Sequence, residues 1–260
     1  MSDDSVVLEV FFVRAPLGDE RLNTTLWQEV DELQIDPAVR QRLTENGFRA
    51  GLVAGQLPMA LSGLLELADK PPPGSGDLEQ SPCVSLDEEP SVVRRHVQTP
   101  PGKRSEVIAS DIHESLPVLY CTRGQVSGRT FPRAQGVFGV RAFPQADGRV
   151  RLQISPELHH DEPRQRWVGR QGVLRMETSR PREVYAELGL TADLLPGDML
   201  VMTSLPSRPG SLGHHFFSAG KNQPEQKLLV IRLAQTQHDG VFEIPNEAAA
   251  DPATTDAADE

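Results

Sequence analysis

The chain has 260 residues, an apolar fraction of 38%, only 5% aromatic residues and a net charge of −11, enough material for one large or two small domains with a buried core. Its longest apolar run is only a few residues, which excludes a helix able to span a bilayer. Two cysteines, Cys83 and Cys121, are too few for a disulfide scaffold and are expected as free thiols.

Residues 6–13 (VVLEVFFV) are β-branched and aromatic and apolar on both faces except Glu9, the pattern of a central strand covered on both sides. Asn23 or Thr24 is placed to cap a helix carrying Leu26, Val30 and Leu33. Asp36-Pro37 opens a second helix with Val39 and Leu43 inward and Gly47 at its close. Residues 48–54 return as a strand, and Leu57, Leu61, Leu64, Leu65 and Ala68 give a third helical stripe. Residues 70–90 contain PPPGSG and DEE without periodicity and predict a disordered linker.

Beyond residue 91 the period becomes two. Strands are expected at 92–98, 105–109, 118–121, 166–168, 173–178, 188–194, 199–203 and 228–233, with helix near 181–188. The strongest local signal is 136–158, two alternating runs joined through Ala146-Asp147-Gly148, a hairpin signature. Phe138, Val140, Ala142, Val150, Leu152 and Ile154 fall on one face, and Arg149, Arg151 and Gln153 on the other. The expected fold class is therefore α+β: a small N-terminal α/β module (1–70), a disordered linker (71–91), a mainly antiparallel β-sandwich or partly open barrel (92–239), and a disordered acidic tail (240–260).

Charge is uneven along the chain. Residues 92–239 hold 20 basic side chains, 17 of them Arg, against 14 acidic ones, whereas 71–91 and 240–260 hold five and six acids and no base. Arg offers a planar fork of donors suited to carboxylates and phosphates. The Arg content predicts either a solvated strand face paired with local acids or a docking face for an anionic partner, the latter built on Arg149, Arg151, Arg164 and Arg166. Aromatic interleaving is absent, which argues against nucleic acid.

Sites with chemistry are sparse. His159-His160-Asp161 and His214-His215 offer zinc-ligand types, but adjacent strand residues point to opposite faces and no third ligand is dictated. They read as turn or edge histidines. Ser211 lacks a GxSxG context, and Gly124-Gln125-Val126-Ser127-Gly128 lacks that of a phosphate loop and reads as a turn. Glu157 and Asp161 are candidate paired carboxylates, although Pro156 and Pro163 place them in an exposed loop. No cofactor is expected. The acidic start Met-Ser-Asp-Asp is unlike a secretory leader, so the chain reads as cytoplasmic or as the product of leader removal.

Taken in series, the β half resembles the C-terminal domain of bacterial secretins, the outer-membrane ring proteins of type II and type III secretion. VQTPPGKRSEVIA (97–109) is similar to a family strand with Pro and a turn, and Leu116-Pro117-Val118 to a Pro-led strand. Gly136-Val137, Val140 and Pro144 precede Gly148, Val150, Leu152, Ile154, Pro156 and Glu157 as in the family's hairpin. Gly197-Asp198-Met199-Leu200-Val201, then Leu212-Gly213 with Phe216, then KLLVIRL (227–233) follow in family order. The family's Gly-Gly gate is replaced by Thr203-Ser204-Leu205, so the resemblance implies a relative that keeps the sheet and lacks the membrane pore. It implies a non-enzymatic protein of secretion or envelope assembly that meets a protein partner or itself through the β domain. The alternative is a soluble metal-binding protein or hydrolase using His159, His160, His214 and His215.

Overall fold

The computed structural model describes residues 5–69, 92–170, 173–219 and 224–237. In chain order it contains β1 (Ser5–Pro16), α1 (Pro37–Glu45), β2 (Phe48–Val53), α2 (Met59–Asp69), β3 (Val92–Thr99), β4 (Ser105–Ile108), β5 (His113–Thr122) and β6 (Gln125–Pro144). There follow β7 (Val150–His159), β8 (Arg164–Arg170), β9 (Val173–Ser179), β10 (Arg182–Val184), β11 (Leu190–Leu194), β12 (Met199–Ser204), α3 (Leu212–Phe217), β13 (Ser218–Ala219) and β14 (Glu225–Gln237).

The two-faced apolarity of β1 is answered by two layers. β1 lies inside an antiparallel sheet of order β2-β12-β14-β1-β3, with β13 added on β14. Val6, Leu8 and Val10 enter a core shared with a second sheet, while Phe11, Val13 and Ala15 enter a core under Leu22, Leu26, Trp27, Leu61 and Leu64. The second sheet has the order β10-β7-β6-β4, with β11 also on β7 and β5 also on β6. The two sheets face each other as a sandwich and do not close into a barrel, so the fold is α+β.

The strands of 1–70 do not form a sheet of their own. β1 pairs with β14 and β3, and β2 with β12, so the expected N-terminal module and β domain share one sheet. The physical reason is that β1 exposes two hydrogen-bonding edges and two apolar faces, and the single six-residue strand β2 could not cover them. The expected linker at 71–91 and tail at 240–260 lie outside the described residues.

Asp36 caps α1 as expected, accepting from the amides of Ala38 and Val39 at 2.9 and 3.0 Å. The helix expected over Leu26, Val30 and Leu33 does not form. A π turn (Arg21–Thr25) and a 3-10 turn (Leu26–Gln28) stand there, and the backbone of Asp31 is taken by Leu52 of β2 at 2.8 and 2.9 Å. Gly51 permits this: a Cβ there would lie 2.5 Å from Val30 Cγ1. Leu33 is 78% exposed. Over 181–188 the short strand β10 and a 3-10 turn (Ala186–Leu188) replace the expected helix. The end of α1 docks on β5 through Asn46, whose Oδ1 accepts from the Cys121 amide at 2.8 Å and whose Nδ2 donates to the Cys121 carbonyl at 2.9 Å.

The expected turn at 124–128 is tighter than predicted. Arg123 and Gly124 carry positive φ, and Gln125 already begins β6. That strand of 20 residues pairs with β5 along its first half and with β7 and β4 along its second. Among the described residues no helix is long and apolar enough to cross a membrane.

Candidate functional site on the open face of the sandwich

The β6–β7 hairpin has the expected parity. Phe138, Val140, Ala142, Val150, Leu152 and Ile154 are at most 1% exposed. Arg141, Arg151, Gln153, Thr191 and Asp193 are exposed on the opposite face, over which no helix among the described residues packs.

Of the four Arg residues expected to form an interaction face, Arg149 and Arg151 each have a local acid beside them. Arg149 sits in the hairpin turn with Nε 3.5 Å from Asp147 Oδ2. Arg151 lies opposite Asp193 in the β7–β11 register and donates to both its carboxylate oxygens, at 2.8 and 3.1 Å. Arg164 opens β8 and Arg166 lies within it, and β8 pairs only with β9 among the described residues. Local acids thus stand beside Arg149 and Arg151.

A different trio gathers on the same face. Arg104, Arg141 and Arg182 line a cavity of about 430 Å³ together with Glu157, Gly139 and Ser155. Glu157 is only 3% exposed. Arg104 donates to it twice, Nε to Oε1 at 3.2 Å and Nη2 to Oε2 at 2.5 Å. His159 Nε2 stands 3.3 Å and Arg182 Nη1 3.7 Å from Oε2. Gly139 makes room, since a Cβ there would lie 2.4 Å from Glu157 Oε1. Burial pushes the Glu157 carboxyl up, but hydrogen bonds from His159 and Arg104 and the charges of Arg104 and Arg182 outweigh it and hold the group below the usual range. It is a fixed anion at neutral pH, unsuited to proton transfer.

Arg104 is fully engaged, because its Nη1 also donates to Glu106 at 2.6 Å. Among the described residues Arg182 makes only the long contact to Glu157. Arg141 carries no ion pair or hydrogen bond among the described residues. Two guanidiniums therefore keep donor capacity beside Gln153, Ser155 and Thr191, where an oxyanion fits. Sequence parity contained the signal for Arg141, which faces Gln153 across the hairpin. Arg104, just before β4, and Arg182, opening β10, arrive from segments whose neighbours no local pattern reveals.

The two histidine pairs stand in different settings, and only the rings of His214 and His215 stay together, 5.3 Å apart. His159 is held by Glu157, and His160 Nδ1 lies 2.8 Å from Asp161 Oδ2 with its ring 5.2 Å from Phe131. Glu157 and Asp161 are not a carboxylate pair: β7 ends between them, and Asp161 turns away in the left-handed region at φ 59. His214 and His215 lie on a helix, α3, rather than at a turn or sheet edge, because Ser211 caps it. Its Oγ accepts from the His214 amide at 3.2 Å and donates to the Arg208 carbonyl at 2.7 Å. Ser211 is thereby a cap rather than a nucleophile. Among the described residues no three His, Cys, Asp or Glu side chains gather as a metal-holding group.

No protein-family model matches the chain, and no curated protein does. Among solved structures it has a distant resemblance to the secretin-domain β-barrel of InvG from the Salmonella SPI-1 injectisome, at 11% identity and a TM-score of 0.27, covering 95% of this chain and 67% of that one.

Proposed function

We propose that the chain is a non-enzymatic interaction protein whose sandwich docks an acidic protein segment on its open face, within a bacterial secretion or envelope assembly. The observation that carries the docking is the pair Arg141 and Arg182, two guanidiniums with spare donors on a concave face. Arg104 supplies the close hydrogen bonds to the buried carboxylate beneath them, which leaves Arg141 and the spare donors of Arg182 for a partner. The setting in secretion rests on the order of the secretin-like motifs along residues 97–233.

Titrating the full chain with a Glu-rich peptide tests the docking. Arg141→Glu with Arg182→Glu is expected to weaken binding at least about tenfold, and added salt to weaken the wild-type complex similarly. Arg149→Glu with Arg151→Glu should change little, because both positions are locally paired. Equal losses from the two double variants would overturn the assignment of the face. Sedimentation of the chain alone separates self-association, also sensitive to Arg141 and Arg182 if this face mediates it, from docking of a different partner.

A further inference from the structure

Residues 182–187 separate two cavities of opposite character. Arg182 lines the cationic one, Glu183, Tyr185 and Glu187 line the other, and Val184 and Ala186 border both. The second cavity, about 390 Å³, is floored by the β5–β6 hairpin through Tyr120, Arg129 and Phe131. The rings of Tyr120 and Tyr185 lie 4.8 Å apart, tilted by 54°. Burial pushes the Tyr185 hydroxyl well above its usual range, so the ring stays a neutral phenol.

The chain already places one cation in this setting. The Arg129 guanidinium lies 4.6 Å over the Phe131 ring and 3.3 Å from Glu183 Oε2. That pairing accounts for Arg129 and Glu183. It leaves Glu187 exposed, with no ion pair of its side chain among the described residues, next to the tyrosine pair. The lining carries two carboxylates and one guanidinium. Arg42, which donates to the Glu187 main-chain carbonyl at 2.7 Å, and Arg123 line the adjoining cavity on the other side of Glu187. Ring faces attract a cation through their quadrupoles, and a carboxylate at the rim supplies its counter-charge.

We propose that this cavity binds an organic cation, an alkylammonium or guanidinium group, against Tyr120 and Tyr185 with Glu187 as counter-ion. The site is independent of the docking face on the other side of 182–187. The cation comes either from a small molecule or from a Lys or Arg side chain of a protein.

Tyr120 and Tyr185 are the chain's only tyrosines, so ring-labelled tyrosine gives a spectrum that reports on this cavity alone. Titrating the full chain with tetramethylammonium chloride is expected to shift both ring signals saturably, whereas sodium benzoate at equal ionic strength is not. Glu187→Gln, an exposed change, and Tyr120→Leu, a half-buried one, should each weaken binding roughly threefold or more; Glu187→Gln keeps the test valid if Tyr120→Leu fails to fold. A neutral peptide with a single Lys that binds about tenfold tighter than tetramethylammonium assigns the site to protein side chains; weaker or equal binding assigns it to small cations. Absence of a saturable shift with either cation, or an equal shift with benzoate, would overturn the proposal.

Discussion

Glu9 and Arg232 stand opposite each other in the β1–β14 register, with Arg232 Nη1 3.5 Å from Glu9 Oε2. They are the only charged residues in two stretches otherwise apolar on both faces, 6–13 and 228–233, so each exception answers the other. Arg94 and His96 of β3 complete the cage around Glu9, which is built like the one around Glu157 on the other sheet.

The two cages predict different costs. The partners of Glu9, Arg94 and Arg232, are 54% and 46% exposed, so water can take over their charges. One of its own oxygens also lacks a hydrogen bond. Glu9→Leu should therefore change stability by no more than about 1 kcal/mol. Arg104, at 20% exposure, is far less open to water. It would keep Glu106 on Nη1, but Glu157→Leu should cost about 3 kcal/mol by leaving the Arg104 Nε and Nη2 donors without their carboxylate in a mostly covered site. Urea midpoints of the two variants measure the contrast directly.

On the hairpin the same logic applies by parity. Leu152 is fully buried, and Leu152→Ala should cost about 2–5 kcal/mol through lost burial and a cavity. Arg151 is paired with Asp193 in water, and Arg151→Glu should leave the urea midpoint essentially in place. If Arg151→Glu unfolds the chain while Leu152→Ala does not, the register of β7 is shifted by one residue.

Acid should weaken the fold in two stages of the same sign. Burial holds His214 and His215 below the ordinary imidazole value, so the unfolded chain binds protons first. Their stabilisation is complete above about pH 6.5 and is lost as pH falls through the folded-state values. Glu157 and Glu9 are held below the carboxylate range despite burial: His159 and Arg104 do so for the first, Arg94 and His96 for the second. Their stabilisation persists to lower pH and is lost as pH falls through their folded-state values, beneath about 4.3. Thermal midpoints followed from neutral to acid pH should show both losses. In His214→Asn with His215→Gln the first should disappear and the second remain.

Local chemistry made much of this fold legible in the sequence. The alternation of Val150, Leu152 and Ile154 fixed a buried face, Asp147-Gly148 fixed the turn, and Asp36-Pro37 fixed a helix start. What stayed hidden is non-local. Nothing in the spacing of Leu26 and Val30 says that Asp31 will bridge to Leu52, an interaction that ends the turn before a helix develops. Parity put Arg151 on the open face but could not supply Asp193, which arrives from β11 and neutralises it. The cationic cavity needs Arg104 from just before β4, Arg141 from β6 and Arg182 from β10, so its charge exists only after the second sheet has assembled.

β14 is synthesised well after β1, β2, β3 and β12, yet it lies between β1 and β12 in the sheet. A ribosome-bound chain that has made β1, β2, β3 and β12 still lacks the strand joining them. Until residues 225–237 emerge, β1 and β12 each present an unpaired, apolar edge, the kind of surface that recruits other chains. The β1–β14 pairing has to wait for β14, and pairing across so long a separation is slow. The nascent protein thus passes through a prolonged aggregation-prone stage, and expression yield should depend on holdase chaperones far more than the stability of the finished sandwich suggests.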